Sequence, residues 1–465
     1  MKKMMFLGLL VGASTLLAAD VTVTVDSIHQ RWPWESKIDV DFTVTGDSTK
    51  SYDVVPSFYD GETKLTVPTG ALAGDIWGVS AGSHRVTLDP SKLNLANQVL
   101  TRFSVKFETV AEMPLYMVVD LTKAKGEDGQ VVYLTKSDLQ TGDYGPVEEN
   151  PVSGVTSFIW TGVTNNAEYA TTKMVFRRVN PGTFTMGYGG ARLGATKIYP
   201  AAANDYGNEA TLTDPYYIAV FPVTQKQWVT LGMSNGSYYE TDRDRRPVEQ
   251  IGLKTTYWSL IRGSDAAADG FHWPQDGYAK STGSFLGKLQ DRIDLTCDLP
   301  TEAQWEYACR AGTTTIYNDG VARTIKNDAG FVSAQKEVLL LGRFSGNGGN
   351  DTTASIPPTE GGTAIVGSYA PNAWGLYDMH GNVFEPCLDW AYAATTNRYD
   401  HAVVNPAGPA TGDEHLSKGG QHSYDITHAT SGFRWGYSRG KQYGFRAIVY
   451  PKGVVPQVGE IYSAE

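Results

Sequence analysis

Between Asp20 and Met113 the chain alternates apolar and polar positions with a period of two. In "KIDVDFTVTG", Ile38, Val40, Phe42 and Val44 fall on one face of an extended strand, and Asp39, Asp41, Thr43 and Thr45 fall on the other. "SHRVTLD" and "TRFSVKFETV" repeat the alternation, and clusters of Gly, Asp and Ser separate the segments. About seven short strands in roughly ninety residues predict an all-β, immunoglobulin-like sandwich over 20–113. Nothing in it converges on chemistry, so it reads as a structural module.

Residues 114–173 hold two further strand-like runs, "PLYMVVDLT" and "QVVYLT", and then a polar stretch. They read as a connecting region that packs on the next domain. From Met174 to Tyr450 short elements are separated by long Gly-rich connections, and 451–465 reads as a tail. Two helices announce themselves by capping boxes, Thr224 with Gln227 and Thr301 with Gln304, each ended by Gly. A third is predicted at "SFLGKLQDRI", where Phe285, Leu286, Leu289 and Ile293 share a face. In the second helix Trp305, Ala308 and Cys309 line up, which places Cys309 in a core. Few helices and scattered strands give an irregular α+β domain.

Composition adds three constraints. With 41% hydrophobic and only 19% charged residues, the 465-residue chain has enough apolar surface for two or three cores and is not disordered. "MKKMMFLGLLVGASTLLAAD" has the lysines, apolar run and small residues of a secretory signal over 1–19, with no Cys after it for a lipid anchor and no membrane span downstream. This places the protein outside the cytoplasm, secreted or at the cell surface or periplasm. Cleavage near Ala19 would leave 37 basic against 50 acidic residues, a balance unsuited to nucleic acid. The three cysteines, Cys297, Cys309 and Cys387, have no metal-binding spacing and read as one disulfide plus a free thiol, or as three buried small residues.

Six ordered stretches, "RRVNPGTFTMG", "YYIAVFPVTQKQW", "RPVEQI", "LPTEAQWEYACRAG", "NAWGLYDMHGNVFEPCLDW" and "GFRAI", resemble the formylglycine-generating enzyme, or sulfatase-modifying factor, family. The resemblance implies a compact C-type-lectin-like fold over 174–450. It also implies an oxidase that converts a sulfatase cysteine to formylglycine with copper held by two cysteines after the Gly-Gly of the C-terminal segment. In this chain those positions fall on Tyr424 and Ala429, and no Cys follows Cys387. A phenol and a methyl group do not replace thiolates on a soft, redox-active metal, so no copper is expected. A sulfoxide-forming branch of the family uses three histidines on an added helical domain. Here the added domain is β-rich, no H-x-x-x-H-x-E occurs, and His29, His84, His272, His380, His401, His415, His422 and His428 are scattered.

The resemblance further implies a calcium site from Asp378, the carbonyls of Gly381 and Val383, and Glu385, all hard oxygen ligands. The alternative is that Asp378 and Glu385 pair with nearby backbone or arginine. The family's other calcium site has an Asn where this chain has Gly330.

Between Gln421 and Tyr443 the chain loses all periodicity and takes on the composition of a paratope. His422, Tyr424, Asp425, His428, Phe433, Arg434, Trp435, Tyr437, Arg439 and Tyr443 combine stiff aromatic area with adaptable hydrogen bonds and guanidinium groups. Some lectin-like members of this superfamily are diversified in their C-terminal segment by retroelements, and position and texture match that pattern. Two functions follow. One is an exported binding protein for an extracellular protein or glycan. The other is a sulfatase-modifying or related metal-dependent oxidoreductase with a rearranged site.

Overall fold

The computed structural model describes residues 21–31, 35–67, 71–93, 100–187, 207–251, 254–263, 272–323, 336–349, 361–391, 401–412, 414–436 and 442–461. The expected signal segment, Gly330, Tyr437 and Arg439 lie outside them. The chain divides into two compact units, with the boundary between Leu115 and Tyr116. It is mostly β-sheet with few helices.

The first unit has seven strands among its described residues, in two antiparallel sheets. Thr22–Gln30, Ile38–Thr45, Gly82–Leu88 and Leu72–Gly74 form one sheet in that order, and Thr63–Lys64, Tyr52–Asp60 and Phe103–Glu112 form the other. The alternation predicted from sequence sets the inward face. Ile38, Val40 and Phe42 are wholly buried with Val54, Phe58, Val86, Leu88, Phe103 and Phe107 in one shared core. Asp39, on the opposite face, is nonetheless only 2% exposed. Both its oxygens accept from Arg31, at 2.9 and 3.0 Å, and one also accepts from the Thr87 hydroxyl at 2.7 Å. Burial of this carboxylate is offset by paired donors.

The second unit is built on a six-stranded sheet in the order Cys297–Asp298, Ile448–Val449, Tyr216–Ala219, Lys173–Val179, Pro114–Asp120, Val131–Thr135. The stretch expected to connect and pack is thus woven into the sheet, with Lys173↔Asp120 through Arg177↔Tyr116 in antiparallel register. Tyr116, Met117 and Val119 are fully buried on both faces of their strand, and a strand of that kind shows no alternation to read. Both expected capping boxes form, with Thr224 and Thr301 each accepting from the N3 amide while the N3 glutamine returns the bond. Ser284 caps the helix Phe285–Ile293, and Phe285, Leu286 and Leu289 are wholly buried. An unforeseen third box, Thr135 with Asp138, starts the short helix Lys136–Thr141.

The core of this unit joins the sheet to those helices. Trp228 stacks on Phe285 at 5.3 Å, and Phe445 meets both rings edge-on. Cys297, Cys309 and Cys387 are free and buried, so the second of the two readings holds for them. Burial pushes the Cys309 thiol up to about 12, which leaves it inert at neutral pH. Among the described residues no helix is long and apolar enough to cross a membrane.

Candidate functional site

The C-terminal segment starts from a three-stranded antiparallel sheet. Glu385–Ala391 pairs with Glu414–Lys418, which pairs with Trp435–Gly436 through Leu416↔Gly436 and Ser417↔Trp435. Gly419 and Gly420 follow, both with positive φ. A Cβ on Gly420 would lie 2.6 Å from the Ala429 Cβ and the His428 carbonyl oxygen, so only glycine lets the returning chain pass here. The chain then turns through Ile426–His428, whose first residue is preceded by the cap Asp425. The Asp425 Oδ1 accepts from the Thr427 amide at 2.9 Å and pairs with the His428 Nδ1 at 3.0 Å.

That turn brings together a cluster of rings. Tyr424 lies 4.9 Å from His428 and 6.0 Å from Trp435, the two larger rings being nearly perpendicular at 76°. Phe384 and Phe433, both in the core, run almost parallel to Trp435 at 6.1 Å. Tyr424, Asp425, His428, Arg434 and Trp435 are half-buried. His422 and Tyr443, expected at the same surface, are interior, 0% and 4% exposed. The His422 ring meets Tyr239 edge-on and its Nδ1 lies 2.6 Å from the Gly349 carbonyl oxygen, while Tyr443 packs 5.2 Å from Phe384. Among the described residues of the segment, His422, Phe433 and Tyr443 turn into the packing, whereas Tyr424, His428 and Trp435 stay half-buried.

Of the two positions where the resemblance implies thiolates, Tyr424 belongs to this ring cluster. Ala429 is fully buried in a separate apolar group with Ile316, Tyr317, Phe344 and Ile426. Its carbonyl accepts from the His380 Nδ1 at 2.6 Å, and the Asn318 amide donates to the His380 Nε2 at 3.2 Å. Burial holds His380 down to about 4, so this imidazole is neutral and its tautomer is fixed by both bonds. The four late histidines do not converge. His401 pairs with Glu460, His415 is sandwiched between Trp258 and Trp390, His422 faces Gly349, and His428 faces Asp425. Among the described residues no three His, Cys, Asp or Glu side chains are placed to hold a metal ion.

Beneath the segment runs a buried ionic ladder that sequence reading did not foresee. Arg434 donates to Glu302 at 2.6 Å, Lys418 bridges Glu302 and Glu306 at 3.3 and 3.0 Å, and Arg310 pairs with Glu306. The Glu302 amide donates to the Asp389 carboxylate at 2.6 Å. Burial, with the Glu302 charge adding to it, pushes Asp389 up to about 7. Arg434 is thus an anchor more than a free contact. The signal for it was the acidic Glu302 and Glu306 one turn apart on a helix with an otherwise buried face.

The expected calcium ligands show a different chemistry. Arg446 donates to both oxygens of Glu385, Nη2 to Oε1 at 2.9 Å and Nε to Oε2 at 3.0 Å, and the Trp305 indole adds a third bond at 2.6 Å. Arg446 also donates to the carbonyls of Ala219, Val220 and Tyr377. Asp378 accepts from the Gly367 amide at 2.8 Å and the Asn382 side chain at 3.2 Å, and burial raises it to about 6. These are the backbone and arginine pairings of the alternative reading. With a guanidinium already bonded to both Glu385 oxygens, the four-ligand calcium set does not fit the residues as arranged. Chelation with EDTA is expected to leave the melting temperature where it was. A fall that the Glu385→Gln substitution abolishes would restore calcium to this turn.

The sulfatase-modifying factor enzyme 1-like domain family matches residues 161–450. The chain belongs to this family. Curated relatives include the formylglycine-generating enzymes of Mus musculus and of Thermomonospora curvata. The first is 32% identical over 125 residues, 27% of this chain and 30% of that protein. The second is 35% identical over 126 residues, 26% and 37%. The chain therefore spans about a third of the length of these relatives. Among solved structures, Treponema denticola variable protein 1 is 21% identical with a TM-score of 0.39, over 60% of this chain and 96% of that one. Trp305, Glu385 and Arg446, which stand in three separate stretches of the matched region, meet as one buried hydrogen-bonded group.

Proposed function

We propose that this family member is an exported ligand-binding protein. In this reading an immunoglobulin-like sandwich precedes a C-type-lectin-like domain whose C-terminal segment, of the kind retroelements diversify, carries the binding surface. The observation that carries it is the replacement of both thiolate positions by Tyr424 and Ala429. One of these has joined a half-open group of rings and the other a closed apolar core. Tyrosine and tryptophan with few rotatable bonds, beside Asp425 and His428, supply contact area at low entropic cost. Fold alone does not carry the family's oxidase activity over to this chain.

The test is direct. A Cys-containing sulfatase peptide incubated with the protein, copper and oxygen is expected to retain its thiol, as read by mass spectrometry. Copper-dependent formation of formylglycine would replace the binding reading with the oxidase. In parallel, a screen against glycan and extracellular-protein arrays should yield a ligand whose binding is lost on replacing Trp435 with Ala, since aromatic anchors dominate interfaces. Because Trp435 packs on Phe384 and Phe433, this variant also loses some stability, and its fold is checked by circular dichroism.

A further inference from the structure

The ring cluster leaves a particular set of hydrogen-bonding atoms unused. Among the described residues every bond to the Asp425 carboxylate falls on Oδ1, which leaves Oδ2 as an open acceptor. The bond between His428 Nδ1 and that carboxylate puts the proton on Nδ1, so in the neutral ring Nε2 is a second acceptor. Among the described residues the Tyr424 hydroxyl, both donor and acceptor, and the Trp435 indole N–H, a donor only, have no partner either. The Asp425 and His428 side chains are 39% and 31% exposed, enough for a ligand to reach them.

Three ligand chemistries compete for such a place, and the donor and acceptor inventory separates them. An ammonium brings donors only and leaves the Trp435 N–H unanswered. It also needs rings spaced to enclose it, whereas Tyr424, His428 and Trp435 touch one another at 4.9–6.5 Å and leave no cage. A phosphate or carboxylate brings negative charge and meets the Asp425 charge, which the His428 bond holds down to about 2 and therefore ionised. A hydroxyl both donates and accepts. Several hydroxyls on a ring with an apolar C–H face match acceptors, a donor and two ring surfaces set at 76°.

We propose that the corner formed by Tyr424 and Trp435, with Asp425 and His428 at its edge, binds a neutral saccharide ring without a metal ion. This rests on the binding function above and names its ligand class. The full chain, with EDTA present, is titrated with methyl glucopyranoside, galactopyranoside and mannopyranoside and with an N-acetylglucosamine trisaccharide, following tryptophan fluorescence and heat. At least one is expected to saturate. Asp425→Asn and Tyr424→Phe, which keep the rings in place and the near-ultraviolet circular dichroism unchanged, should each weaken it by about tenfold. Tetramethylammonium chloride and inorganic phosphate should not displace it. The absence of saturation by every saccharide, displacement by tetramethylammonium, or indifference to both substitutions would overturn the inference. If an array-identified protein ligand instead loses affinity in the same variants, the saccharide is wrong and the binding function stands.

Discussion

Replacing Arg446 with Met should destabilise the protein by about 3–5 kcal/mol, the cost of leaving a buried charge without its partner. Arg446 and Glu385 are 0% and 1% exposed, and the guanidinium satisfies five acceptors at once, two on Glu385 and three main-chain carbonyls. Among the described residues the variant leaves the Trp305 indole as the one remaining donor to the Glu385 carboxylate. In urea the midpoint should fall with little change of slope for the transition of this unit. Adding Glu385→Gln to the same chain removes the stranded charge and should recover part of the loss. If the single variant is as stable as the parent, the ion pair contributes nothing and the matching family stretches must be held by packing alone.

The second large effect concerns pH. Asp389 is 2% exposed and raised from an ordinary 3.8 to about 7, first by burial and then by the Glu302 charge. The folded chain therefore keeps a proton that the unfolded chain gives up. Its contribution to stability is complete below about pH 4 and is lost as pH rises through 7. Each pH unit between the two values is worth about 1.4 kcal/mol, so the loss is on the order of 4 kcal/mol by pH 8. Asn at this position retains an oxygen to accept the Glu302 amide and has no charge to bury. Asp389→Asn should thus gain on the parent as pH rises from 4 to 8, by denaturant titration at each pH. Asp378, raised to about 6, bends both curves alike and cancels in the difference. Parallel pH profiles for parent and variant would mean that Asp389 is ionised with a compensating partner in the fold.

Much of the architecture was legible in residue order because the rules involved are local. A period of two tells which side chains of Ile38–Thr45 face inward, since successive side chains of a strand leave on opposite sides. Thr224 with Gln227 and Thr301 with Gln304 satisfy amides within one turn, so three-residue spacing is sufficient information. The strand Pro114–Asp120 was harder. Apolar on both faces, it gives no period, and its place inside the sheet depends on a partner more than fifty residues away.

The C-terminal segment shows where such rules stop. Its sequence determined the supply of side chains, an absence of thiols, and the Gly-Gly turn that lets the chain return past Ala429. Which aromatic groups turn inward was decided by what the fold set beside them. His422 found the Gly349 carbonyl and Tyr443 found Phe384, whereas Tyr424, His428 and Trp435 kept an open side. The same holds for Glu385. Composition admits calcium or arginine as its partner, and only the approach of Arg446, sixty-one residues later, makes it one half of an ion pair. Local geometry follows from bond rotations and neighbouring amides, so sequence determined it. The pairing of charges and the facing of loop side chains follow from desolvation and distance in the assembled core, which only the tertiary structure decided.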